Sequence, residues 1–348
     1  MKNIFLASDN TSPAHPNIIE YILKANQHHA SSYGNDEWTQ SASKLLAEVF
    51  KKTCKVLFVP TGTGANILSL KLMLKSHTSV ICSDIAHIAV NETGAPEAVV
   101  GCKLLLIKSH HGKISAEDVL KVLKKERFSG KHATYPKVVS ITQPTEVGTL
   151  YTLNELQALR ELCSKESLFL NIDACRIYNA AAHMHVKLHE IIDAAKPDII
   201  SLGGTKNGLA FAEAVVIFNE DLYEGSDYLQ KQTLQLLSKM RYLSAQYIPF
   251  FKDDLWHHLA SHANKKAQEI VSILKSIPQI TINHPVETNQ IFFSIPPTWI
   301  PLIQKTISCY VWDESINEIR FIASWNTSDE DVSTVRSCFE NIAKACKD

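Results

Sequence analysis

The chain has 348 residues, with 35 basic against 36 acidic side chains and a formal net charge of −1. That balance excludes a general affinity for nucleic acid or an anionic membrane, and the length suits one large core with a smaller lobe. The eight cysteines show neither a CxxC pair nor another metal-ligand spacing, as expected of reduced thiols in a cytoplasmic protein. The opening Met1–Asp9 turns polar too early for a signal peptide. No apolar run approaches the roughly 18 residues of a membrane-spanning helix.

In chain order, Lys55–Val59 is a short β-rich run. It leads through Thr61-Gly62-Thr63-Gly64 into a helical Ile67–Leu74, and Val80–Cys82 reads as the next strand. Lys137–Ile141 follows, then Leu153–Lys165 with Leu153, Leu156, Leu159, Leu162 and Cys163 at helical spacing. Leu168–Ile172 is a strand, Leu188–Ala195 a helix face, and Pro197–Ser201 a strand again. Such alternation predicts an α/β fold with a large, mostly parallel sheet and helices on both faces. A long helix is expected from Tyr228 to Tyr247. The character then shifts: a helix over His258–Leu274, strands at Ile280–Ile282, Gln290–Ser294 and Glu318–Ile322, and a last helix from Asp329 to Cys346. The expected division is a large domain over 1–249, N-terminal segment included, and a small α+β domain over 250–348.

The chemistry-bearing residues stand just after strands, where ligands of such sheets collect. Lys206 follows Ile199-Ile200-Ser201 in a glycine-rich bend. Desolvating an ammonium favours the neutral amine, the nucleophile a Schiff base requires; alone, the pattern fits a solvated turn better. Thr61-Gly62-Thr63 lies between strand and helix, where backbone N–H groups face an anion. It lacks the Gly-Lys-Ser/Thr of a P-loop and the third glycine of a dinucleotide fingerprint; phosphate site and ordinary turn are equally consistent with it. Asp173 and Arg176 leave a buried strand and alone suggest an ion pair. Together, a strand-end carboxylate, a strand-end lysine and an anion turn suit pyridoxal phosphate, which carries a pyridinium, an aldehyde and a phosphate. His183, His185 and His189 match no zinc spacing, and no metal is expected.

From Ser8 to Asp331 the chain resembles the L-threonine aldolases of the β-eliminating lyase group of pyridoxal-phosphate enzymes, with the aspartate-aminotransferase-like fold (fold type I). The resemblance is carried by an ordered set: Ser8-Asp9, Tyr33-Gly34-Asn35-Asp36, Thr61-Gly62-Thr63, His87 with Glu92 and Gly94, His132 eight residues before Ser140, Asp173-Ala174-Cys175-Arg176, Lys206, and Arg320. It implies Lys206 as the Schiff-base lysine, Asp173 on the pyridine nitrogen, and His87 stacked on the ring. It also implies His87 or His132 as the base for the β-hydroxyl, and Ser8, Tyr33, Arg176 and Arg320 on the substrate. Thr61, Gly62, Thr63, Arg176 and Arg241 would complete the cofactor site, Arg241 beside a subunit boundary.

The implied reaction is cleavage of L-threonine, L-allo-threonine and related β-hydroxy-α-amino acids to glycine and an aldehyde, in threonine catabolism and glycine biosynthesis. The implied assembly is a homodimer or homotetramer with shared active sites. Departures, among them Gln143-Pro144-Thr145 for Glu-Asn-Thr and Ala174 for glycine, bear on the substrate more than the chemistry. Another amino-acid lyase or an aminotransferase would use the same lysine, carboxylate and phosphate turn; a non-catalytic binding homologue would not need them.

Overall fold

The computed structural model describes residues 4–345; Met1 to Asn3 and Cys346 to Asp348, on which the signal-peptide reading and the end of the last helix partly rest, lie outside that span. The strands run β1 (Ile4–Phe5), β2 (Lys55–Val59), β3 (Thr78–Ser83), β4 (Lys103–Ile107), β5 (Tyr135–Thr142), β6 (Phe169–Ala174), β7 (Ile199–Leu202), β8 (Glu213–Ile217), β9 (Thr281–Ile282), β10 (Gln290–Ser294), β11 (Ile307–Ser308), β12 (Tyr310–Asp313) and β13 (Glu318–Ile322). A seven-stranded sheet has the order β2-β8-β7-β6-β5-β3-β4. β8 pairs antiparallel with β2 and β7, and the other pairings are parallel.

The central strands are rich in buried apolar residues because helices cover both faces. Val138, Val139, Leu170, Ile172, Ile199, Ile200 and Leu202 are all buried. The helix Leu153–Lys165 forms where its periodicity predicts. It opens on a Thr152/Glu155 capping box and turns Leu156, Leu159 and Cys163 to the core. The expected single helix from Tyr228 to Tyr247 is instead three pieces, Ser226–Gln232, Arg241–Ser244 and Tyr247–Phe251. Leu234 adopts φ 65°, a left-handed conformation that ends the first piece. The chain after it lays Gln235 against Gly64, where any Cβ would collide with the Gln235 amide. Tertiary contact has overridden helical periodicity here.

The smaller sheet, ordered β12-β13-β10-β9, is antiparallel. The helices Leu255–Lys275 and Asp329–Ala345 share a core with it that includes Ile270, Leu274, Ile291, Phe293, Phe321 and Phe339. Ile4 and Leu6 belong to this core too, with β1 paired parallel to β11. Residues 4–6 therefore do not travel with the large sheet, contrary to the expected inclusion of the N-terminal segment in the large domain. Too short to read as a strand alone, that segment is fixed by a partner some 300 residues on. Among the described residues no helix is long and apolar enough to cross a membrane.

Candidate active site

β5, β6 and β7 end side by side, and the loops that follow them meet in one pocket with the start of the helix Gly62–Met73. Lys206 lines this pocket from a single 3-10 turn, Thr205–Asn207, after β7. The bend before it has to be glycine for packing: a Cβ on Gly203 would collide with the Cys175 carbonyl. Asn207 ties the same turn to that carbonyl through Nδ2 at 2.9 Å. From β8, Glu213 supports the lysine turn, its Oε2 accepting from the Gly204 N–H at 3.0 Å and its Oε1 from the Thr205 N–H at 3.3 Å. Burial pushes the Glu213 carboxyl up to about 7, more than these donors and the Lys206 charge pull it down.

Asp173, buried at the end of β6, faces the same pocket. Its Oδ1 accepts from the Cys175 N–H at 3.1 Å and its Oδ2 from Asn66 Nδ2 at 3.0 Å. Asn66 gives its other amide hydrogen to Glu92 Oε1 at 2.8 Å, and His87 Nδ1 meets the same oxygen at 2.8 Å. A hydrogen-bonded chain thus runs His87–Glu92–Asn66–Asp173 and fixes the imidazole relative to the carboxylate. Glu146 completes this wall. Its Oε1 accepts from the His87 backbone N–H at 2.9 Å and from Thr142 Oγ1 at 2.6 Å. Burial, reinforced by the charge of Asp173, pushes its carboxyl up to about 7. Cys175 also lines the pocket, with its thiol pushed up to about 11 by burial, which makes it a poor nucleophile.

At the pocket's rim Thr61 caps the helix Gly62–Met73, its Oγ1 accepting from the Gly64 N–H at 3.0 Å. A helix start leaves its first N–H groups without intrahelical partners, so Gly62 and Thr63 are placed to meet an anion. Two guanidiniums stand on the other side, Arg176 buried in the pocket wall and Arg320 half-buried beside it. Arg176 grips Asp9 through Nε to Oδ2 at 2.6 Å and Nη2 to Oδ1 at 2.8 Å. Burial raises the Asp9 carboxyl, but the Arg176 charge and hydrogen bonds outweigh that and hold it below the usual carboxylate range. Arg320 donates through Nη2 to the Ala7 carbonyl at 3.0 Å and lies over Trp312, 4.5 Å from its ring centroid. Among the described residues its Nε is buried without a partner. Burial, then the Arg176 charge, push Arg320 down to about 10. Of the two guanidiniums only Arg176 bonds Asp9, so the neighbouring Arg320 has no carboxylate partner among the described residues and the pair suits a further carboxylate. Ser8 stands between Ala7 and Asp9, its Oγ accepting from the Asn10 N–H at 3.2 Å.

The structure brings Lys206, Asp173, Arg176, His87 and Gly62 together in one pocket. It does not bring His132. That residue is exposed in the turn Gly130–His132, before Tyr135 opens β5, whereas the pocket lies beyond Thr142 at the other end. An eight-residue strand spans about 23 Å, so His132 is no candidate base. Tyr33 is 47% exposed with Lys231 Nζ over its ring at 4.8 Å, and it does not line the pocket of this chain. Nor does Arg241, whose Nε donates to the Ala25 carbonyl at 2.9 Å. Asn66, Glu146, Glu213 and Asp9 are the site residues that sequence reasoning missed as functional groups. Of these only Asp9, in Ser8-Asp9, lay within a motif already noted.

Residues 6–296 match the family model described as beta-eliminating lyase. The chain is 36% identical over 337 residues to the low specificity L-threonine aldolase of Pseudomonas aeruginosa, covering 97% of this chain and 96% of that one. It is 39% identical over 325 residues to the enzyme of the same name from a Pseudomonas species, covering 93% of each. Among solved structures, a Leishmania major threonine aldolase superimposes with a TM-score of 0.93 at 28% identity, over 98% of this chain and 99% of that one.

Proposed function

The chain belongs to the beta-eliminating lyase family, and from that premise we infer a pyridoxal-phosphate-dependent carbon–carbon lyase that cleaves L-threonine to glycine and acetaldehyde. The observation that carries this reading is the convergence of Lys206, Asp173 and His87 on one pocket beside the paired guanidiniums of Arg176 and Arg320. The residues fit the cofactor: an amine for its aldehyde, a buried carboxylate for its pyridine nitrogen, and a helix start for its phosphate. The orphaned Nε of Arg320 is the donor a substrate carboxylate would satisfy.

Lys206 would hold the cofactor covalently, with Asp173, Thr61, Gly62, Thr63 and His87 around it. When bound, pyridoxal phosphate supplies the sink for the electron pair released from the Cα–Cβ bond. The protein's own residues do the positioning. Arg176, Arg320 and Ser8 hold the substrate carboxylate and so fix which Cα bond is aligned for cleavage. Asp173, held by Asn66 and the Cys175 N–H, keeps a proton on the pyridine nitrogen. The buried walls limit water. Allo-threonine and related β-hydroxy-α-amino acids present the same groups and belong to the same substrate class.

Self-association is part of the proposal. Leu23, Tyr228 and Leu234 are 61%, 81% and 84% exposed, large apolar side chains that a second copy would cover. Tyr33 and Arg241 lie near them: the Tyr33 N–H donates to the Ser238 carbonyl, and Arg241 reaches the end of the helix Pro16–Ala25. A second copy packed there as a homodimer, or paired again as a tetramer, would let both residues serve a neighbouring pocket. We place the reaction in the cytoplasm, supplying glycine from threonine.

Borohydride reduction of the protein with pyridoxal phosphate, followed by peptide mapping, tests the site. The expected result is label on Lys206 alone and none in K206A; label on another lysine would overturn the assignment.

A further inference from the structure

We propose that Glu146 is the side chain that takes the proton from the substrate's β-hydroxyl, an assignment that rests on the aldol-cleaving reading above. Glu146 lines the pocket together with Lys206, Asp173 and His87. The two donors that other residues give its carboxyl, Thr142 Oγ1 and the His87 N–H, converge on Oε1, and its own backbone N–H adds a third. Among the described residues no other residue donates to Oε2, which is not sealed from the pocket. One oxygen is therefore anchored and the other is free to work, the geometry a positioned general base requires.

The other ionisable groups of the pocket are committed elsewhere. Asp173 is held by Asn66 and the Cys175 N–H, and Glu213 by the N–H groups of Gly204 and Thr205. His87 Nδ1 is bound to Glu92 and its ring is the one expected to stack on the cofactor, which turns Nε2 away from the substrate oxygen. Arg176 grips Asp9, and Lys206 is the amine for the cofactor. His132 stands at the wrong end of β5.

Burial and the nearby Asp173 charge put the Glu146 carboxyl at about 7, so it can accept a proton and return it at neutral pH. The charged and titratable groups around it are Asp173 on β6, His87 at the start of its helix, Cys82 on β3 and Lys206 across the pocket. In the step itself, the β-hydroxyl proton moves to Glu146 and the O–H electron pair becomes the second C–O bond of the aldehyde. The Cα–Cβ bond breaks, its pair remaining on Cα until a proton closes that carbon as glycine. The proton held by Glu146 then balances the cycle.

The test separates this step from the rest of the chemistry, using the cofactor-loaded enzyme. Threonine cleavage needs a base for the β-oxygen; exchange of the glycine Cα proton in D2O, followed by NMR, does not. E146Q is expected to lower kcat for threonine by about 10²–10³-fold, while KM, cofactor absorbance and glycine exchange stay within about 3-fold. E146D should recover part of the loss, and H132Q should match wild type. T142V removes a donor to the carboxylate, raises its pKa, and should move the acid limb of kcat/KM to higher pH. Cleavage by E146Q within about 3-fold of wild type would overturn the proposal, as would parallel loss of cleavage and glycine exchange. Wild-type enzyme that exchanges glycine but releases no aldehyde would overturn the aldol reading and this assignment with it.

Discussion

Buried carboxylates set the character of the pocket one residue at a time, and two of them make stability depend on pH. Glu146 and Glu213 titrate near 7 when folded, against 4.5 for an ordinary glutamate. Between those values the folded protein holds protons that the unfolded chain has released, so stability falls as pH rises through this window. Each pKa unit is worth about 1.4 kcal/mol, which puts the loss at roughly 1–3 kcal/mol per group between pH 5 and 8. His15, His111, His257 and His284 are held low by burial and act in the opposite sense, so the test is a difference. In urea unfolding of the cofactor-free protein, the midpoint at pH 8 relative to pH 5 should be higher in E146Q than in wild type. The same pH dependence in both proteins would contradict the burial argument. At this scale the sequence was legible where a residue's role is local. Lys206 and Asp173 each follow an apolar strand that names its own end. It was not legible for Glu146, whose burial and partners come from His87, 59 positions away, and it misplaced His132, because distance along a sequence does not say which end of a strand a residue occupies.

The elements matter because three adjacent strand ends and one helix start define the pocket, and the loops between them have little freedom. The Gly203-Gly204 bend illustrates this. Read as sequence it is a flexible turn, but in the fold it is a point of close approach between the loops after β6 and β7. Gly203→Ala would have to push the lysine turn away from the Cys175 carbonyl. We expect it to cost about 2–4 kcal/mol and to weaken pyridoxal phosphate binding at least about tenfold, by the displaced lysine. Thermal unfolding and cofactor titration check both; wild-type values for both would show that the loops can separate freely. Strong periodicity made the helix Leu153–Lys165 and the strands β2, β6 and β7 readable. The break at Leu234 was not, since the contact between Gln235 and Gly64 that fixes it is tertiary.

The whole molecule joins its two larger sheets through the N-terminal segment. β1 pairs with β11, Arg320 on β13 holds the Ala7 carbonyl, and Asp9 links Arg176 to Asn289 at 3.3 Å. The proposed substrate-carboxylate receptor is therefore built across both lobes, which explains why neither lobe alone reads as a binding site in the sequence. Sedimentation equilibrium should find a dimer or tetramer, and L234E should shift it toward monomer; a wild-type monomer would contradict the proposed face. The account as a whole rests on the reaction. The most direct measurement incubates the cofactor-loaded protein with L-threonine and quantifies glycine, acetaldehyde and keto acid together. The account predicts glycine and acetaldehyde in equal amounts with no keto acid. Keto acid without aldehyde would contradict it.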